Sequence, residues 1–233
     1  MVHGVRLRDG KAEWYRNRYV GSTSVSQRRG QPDIPGRNWN DNPGGPNTNV
    51  GGFAGTTWAM VEAGGCPVEL TYELETVGRN DFFGTLPGPF TAHPKVDEHT
   101  GELCYFDYGH EHPFMWYGVV NAAGSLVHHV PVELPGARLP HDMAITEHYS
   151  ILHDLPVFND EEAWRAGRHK IRFDSSLPAR FGVIPRHGQP SDIRWFEFSP
   201  CFLYHVVNAW EEGDEIVMVA CRYLPARTAD GTI

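Results

Sequence analysis

The sequence predicts an all-β fold, and three observations carry that expectation. Runs rich in Val, Ile, Tyr, Phe, Trp and Thr recur along the chain, each bounded by Gly, Pro, Asn or Asp. Only "DEEAWRAG", 160–167, reads as a helical turn. At 233 residues the chain can bury a sizeable core, and a single all-β domain can reach this length. Many short strands at fairly even spacing point to a sandwich, a barrel or a propeller.

In chain order, the stretch from Gln27 to Gly52 is too rich in Pro, Gly and Asn for a regular element and is expected to be a long loop. Strands are then expected in "FAGTTWAMVEA" (53–63), "VELTYELE" (68–75) and "ELCYFDYG" (102–109). The segment 115–134 reads as a hairpin, because "NAAGS" places turn residues between two runs of β-formers. "MAITEHYSILH" (143–153), "CFLYHVVNAW" (201–210) and "EIVMVACRYL" (215–224) complete the set.

Composition removes several function classes. The formal net charge is -9, and the 20 Lys and Arg form no basic block, which excludes nucleic acid as a partner. Cys66, Cys104, Cys201 and Cys221 show neither a CxxC pair nor regular spacing, so reduced thiols in a cytoplasmic protein are expected rather than a zinc knuckle or a disulfide framework. No apolar run approaches the ~20 residues of a bilayer span, and "MVHGVRLRDGKAEW" lacks the apolar core of a signal peptide. Peripheral membrane contact is left open.

Among the 13 histidines, His110, His112, His128, His129, His148, His153, His169 and His187 have polar or charged neighbours and read as surface or structural residues. His93, His141 and His205 differ. His93 follows "PFTA" and precedes Pro94, His141 heads the run "HDMAITEHY", and His205 lies inside "CFLYHVVNAW". An imidazole among aromatic and aliphatic residues needs a hydrogen bond or a metal. Taken singly, each is read as a buried histidine bonded to a backbone carbonyl. Taken together, they suggest a converging metal site, although spacing alone does not establish one. The gaps between them are far too long for a zinc finger or HExxH.

Five motifs, "MVHGVRLRDGKAEWYRNRYV", "AMVEAG", "PFTAHPKVDEHTGEL", "HDMAITEHYSI" and "YHVVNAWEEGDEIVM", resemble the carotenoid cleavage oxygenases in the family's own order and through almost the whole chain. That family includes carotenoid and apocarotenoid oxygenases, stilbene-cleaving dioxygenases and the visual-cycle retinoid isomerase. The resemblance implies a seven-bladed β-propeller, of which this chain supplies about half. It also implies Fe(II), Fe(2+), held by four histidines under a loop-rich cap. His93 matches the first ligand, His141 the second and His205 the third. The activity implied is cleavage of a C=C bond of a hydrophobic polyene with O2 to give two carbonyl products.

Glu62 matches one of the family's glutamates that lie behind the ligands. A carboxylate there would accept the second N–H of a ligating imidazole and fix its orientation. Aromatic rings near the substrate could steady a cationic intermediate, and Phe53, Phe90 and Phe106 are available for that. In stilbene-cleaving members a lysine just before the glutamate binds the substrate's phenol oxygen; here Val61 stands there, which favours a carotenoid or apocarotenoid over a stilbene. The resemblance also implies that N- and C-terminal portions of the domain lie outside residues 1–233. No histidine follows His205, so the fourth ligand is expected elsewhere and the chain alone is expected to be inactive. A reading of another class, a propeller scaffold without chemistry, stands against this one. The two differ in whether the three histidines meet.

Overall fold

The computed structural model describes residues 1–38, 48–62, 65–168 and 170–224, with the side chains of Thr48 and Trp164 excepted. They fall into two compact units, Met1–Ala92 with Val120–Leu126, and His93–Val119 with Val127–Ile233.

The first unit begins with an antiparallel hairpin, β1 (Val2–Arg8) and β2 (Lys11–Arg18), closed at Asp9 and Gly10, both with positive φ. That Asp-Gly pair is a two-residue hairpin signal, yet the strand expectations passed over it. A short helix, α1 (Thr23–Arg28), starts at Ser22, whose Oγ accepts the Val25 amide. Strands β3 (Thr48–Phe53), β4 (Thr56–Val61), β5 (Val68–Leu70) and β6 (Thr76–Arg79) then form an antiparallel sheet in sequence order.

Three expectations are corrected here. The loop expected over Gln27–Gly52 is bounded more tightly, since Gln27 and Arg28 are helical and Thr48–Gly52 lie in β3; residues 39–47 are outside the described residues. "FAGTTWAMVEA" is not one strand, because Ala54 and Gly55 both take positive φ and turn the chain from β3 into β4. "VELTYELE" likewise ends as a strand at Leu70. Thr71 Oγ1 accepts the amides of Glu73 and Glu75, and Leu74 has positive φ. Val2, Val20, Ala59, Val68, Leu70 and Leu74 form one core, and Trp58 gathers Phe53, Phe82 and Phe90 around its ring.

The second unit contains two four-stranded sheets. One has the order β10-β9-β8-β7, from β7 (Lys95–Val96), β8 (Leu103–Tyr108), β9 (Phe114–Val120) and β10 (Leu126–Glu133). The expected 115–134 hairpin is β9–β10. Asn121 Oδ1 accepts the amides of Ala123 and Ser125 and closes it. The other sheet has the order β11-β12-β15-β16. It is built from β11 (Ala144–Ile145), β12 (Tyr149–Asp154), β15 (Ala179–Pro185) and β16 (Arg194–Phe198). Between β12 and β15 the chain makes a hairpin of β13 (Val157–Asn159) and β14 (Ile171–Phe173), with the expected helical turn α2 (Glu161–Arg165) between them. β17 (Phe202–Glu212) and β18 (Glu215–Tyr223) form a final antiparallel pair.

These sheets stack face to face. Cys104, Phe106, Met115, Tyr117, Val119, Val130 and Val132 from the first sheet interdigitate with Leu152 and Ile184 from the second. Ile151, Ala179 and Phe181 on the opposite face of the second sheet pack with Phe202, Leu203 and Val206 of β17. The two four-stranded sheets of the second unit, packed one on the other, are arranged as blades of a β-propeller, and the chain supplies part of one. Gly118 shows how close the packing is: a Cβ there would lie 2.3 Å from the Tyr105 ring.

Candidate metal centre

Two of the three singled-out histidines, His93 and His141, occupy matching places in their sheets. His93 stands two residues before β7 and His141 three before β11, each at the outermost strand of its sheet in hydrogen-bonding order, and His205 lies in β17. A strand at that place in successive propeller sheets lines the axis, which is why ligands so far apart in sequence can meet.

His205 depends on a local irregularity. Leu203 pairs with Arg222 and Val206 with Ala220, so Tyr204 and His205 oppose the single residue Cys221; a second shift follows between Val206 and Asn208. Bulges of this kind re-aim side chains and are over-represented near functional sites.

The three rings converge. His93 and His141 have centroids 4.6 Å apart, and His205 lies 5.0 Å from each. Their planes cross at 45°, 71° and 68°, as expected of rings pointing at a common centre rather than stacking. One ligating nitrogen from each lies within 4.8 Å of the others. A divalent ion with metal–nitrogen bonds of about 2.0–2.2 Å fits this set after a small inward movement of the rings. Burial, and then the neighbouring imidazole of His141, hold His93 below the usual histidine pKa, which keeps it in the neutral form that a metal needs.

A polar layer backs the site. Asp142, next to His141 and buried, accepts Lys95 Nζ at 2.6 Å and the Met143 amide at 2.8 Å on Oδ1, and the Val206 amide at 2.8 Å on Oδ2. His153, read from sequence as surface or structural, is fully buried opposite Phe181 on β15. Burial lowers its pKa to about 4, so it is neutral. Asp142 and Lys95 were not singled out by the sequence reading. Their signal was adjacency, Asp142 directly after one ligand and Lys95 two residues after another.

Glu62 follows β4 in a turn and is half-buried, and Val61 ends β4; both belong to the first unit, and the three histidines to the second. The three phenylalanines considered for a cation are core residues: Phe106 lies between the stacked sheets, and Phe53 and Phe90 pack on Trp58. His169 is outside the described residues. The four cysteines form no disulfide.

The chain is similar to known proteins over nearly its whole length. Residues 1–232 match the family described as "Retinal pigment epithelial membrane protein". A carotenoid cleavage oxygenase of Mycobacterium tuberculosis is 39% identical over 267 residues, covering 94% of this chain and 53% of that protein. The crystal structure of Pseudomonas brassicacearum lignostilbene dioxygenase superposes with a TM-score of 0.80 at 31% identity, covering 93% of this chain and 48% of the other. That of a cobalt-substituted Synechocystis ACO gives 0.69 at 26% identity, covering 81% and 42%. The chain thus spans about half the length of the curated relatives it matches. With the match over residues 1–232 and the similarity to carotenoid oxygenases in agreement, the chain belongs to the retinal pigment epithelial membrane protein family, the family of the carotenoid oxygenases.

Proposed function

We propose that the protein carrying this sequence is a non-haem Fe(II) dioxygenase that cleaves a C=C bond of a carotenoid or apocarotenoid with O2 to give carbonyl products. The observation that carries this reading is the convergence of His93, His141 and His205, with ligating nitrogens within 4.8 Å of one another. A scaffold has no reason to aim three imidazoles at one point.

His93, His141 and His205 would hold the iron, and when bound it supplies the binding and redox activation of O2 that no side chain can provide. Neutral imidazoles add no charge, so the ion keeps its full positive charge. Glu62 is assigned the task of orienting one of the ligating imidazoles through its second N–H.

The substrate class rests on Val61. A valine neither pairs with a phenolate nor donates to a phenol, so a site built around it lacks the polar contact that would select a hydroxylated stilbene. The lignostilbene dioxygenase relative supports the competing stilbene reading. The protein is taken as cytoplasmic, supported by four cysteines that form no disulfide. Peripheral membrane contact would give it access to an apolar substrate. No helix among the described residues is long and apolar enough to cross a membrane.

The test compares kcat/KM for an apocarotenal and a hydroxylated stilbene on the whole protein. The expected result is preference for the apocarotenal. A preference for the stilbene of about tenfold, equivalent to about 1.4 kcal/mol in transition-state binding, would reverse the substrate assignment.

A further inference from the structure

We infer that Asp142 is a positioning residue of the metal centre, a single buried carboxylate that sets the three ligand-bearing segments in register. The inference rests on the reading of His93, His141 and His205 as metal ligands.

The three histidines sit on separate segments, and none is held in place by the regular part of its strand. His93 and His141 precede the two-residue strands β7 and β11, and His205 lies in a bulge. Ladder hydrogen bonds alone therefore fix none of them. Asp142 makes one polar contact to each segment. Its Oδ1 receives Lys95, two residues after His93, and the amide of Met143, two residues after His141. Its Oδ2 receives the amide of Val206, the residue after His205. All three donors lie within 2.6–2.8 Å of the carboxylate.

The chemistry favours an aspartate in that place. An ionised carboxylate only accepts, and its two oxygens can serve three donors at once. Charge-assisted hydrogen bonds of this kind are short and roughly twice as strong as neutral ones. The Lys95 ammonium offsets the cost of burying the charge. Asparagine has the same shape but only one acceptor oxygen. It must turn its NH2 toward either the Val206 amide or the Lys95 and Met143 donors, so one segment is always released.

The experiment titrates Co(II) alone into the metal-free whole protein and follows its visible ligand-field bands. Wild type is expected to bind one equivalent. D142N is expected to bind about tenfold to a hundredfold more weakly, with altered bands, at a temperature where the metal-free variant is still folded. K95M keeps both amide contacts but releases the segment that carries His93, and is expected to bind more weakly than wild type. K95M/D142N restores the charge balance without restoring the amide contacts, and is expected to remain as weak as D142N. Wild-type affinity and bands in D142N, or recovery in K95M/D142N, would overturn the inference, the latter by reducing the effect to charge. Absence of Co(II) binding by folded wild type would instead overturn the metal reading and take the inference with it. Should D142N not fold, amide exchange in the wild-type protein decides. The Val206 N–H is expected to be protected, and rapid exchange there would overturn the inference.

Discussion

The sheet β7–β10 and the hairpin β17–β18 are written in the same alphabet of β-branched and aromatic residues, yet they meet very different surroundings. In β8 every residue from Leu103 to Asp107 is buried, on both faces. Along β17 and β18, within a chain that spans about half the length of its relatives, Tyr204 is 51% exposed, Val207 67% and Val219 44%. Strand propensity therefore says little about burial, because it reports fit to a pleated surface and leaves open what covers that surface. The two regions also position their ligands differently. β7 is the end strand of a packed sheet and is tied to Asp142 through Lys95, whereas β17 is held by two carboxylates. Asp142 holds Val206, and Glu211 accepts Thr146 Oγ1 at 2.6 Å and both the amide and Nδ1 of His148 at 2.8 Å.

The contrast can be broken most sharply in the packed sheet. Met115→Ala removes a fully buried side chain between the two stacked sheets and is expected to cost about 2–5 kcal/mol, read from urea unfolding. A loss under about 1 kcal/mol would mean that the sheet is no better packed than the hairpin. Gly118→Ala should cost about 1–3 kcal/mol in the same assay, because the new methyl meets the Tyr105 ring.

The polar anchor of the hairpin should show itself through pH rather than through volume. Glu211 raises the pKa of His148, so the stability this gives is present below the ordinary histidine pKa and is lost as pH rises through the raised value. The pKa of Glu211 is itself lowered by bonds from Thr146 and His148, despite the opposing effect of burial, so its contribution is present above the ordinary glutamate pKa and is lost as pH falls through the lowered one. The pair therefore stabilises the fold between those limits. Melting temperature against pH should show a plateau there that Glu211→Gln flattens, and an identical profile for the variant would remove Glu211 as an anchor.

Much of this was legible in the sequence, for physical reasons that also explain the gaps. "ELCYFDYG" and the "NAAGS" hairpin were readable because local propensity and turn chemistry agree there. The turns at Ala54 and Leu74 were not, because a non-glycine residue at positive φ carries no compositional mark. The three histidines stood out by their apolar settings and by the family resemblance. Asp142 did not, since its role consists of contacts to Lys95 and Val206 that only the assembled sheets bring about.

The central claim is that His93, His141 and His205 hold one metal ion. Anaerobic loading of the whole protein with Fe(II), followed by metal analysis of wild type and of His93→Ala, His141→Ala and His205→Ala, tests it most directly. The account expects one iron per wild-type chain and loss of stoichiometric iron in each folded variant. Full iron occupancy in a folded His141→Ala protein would contradict it.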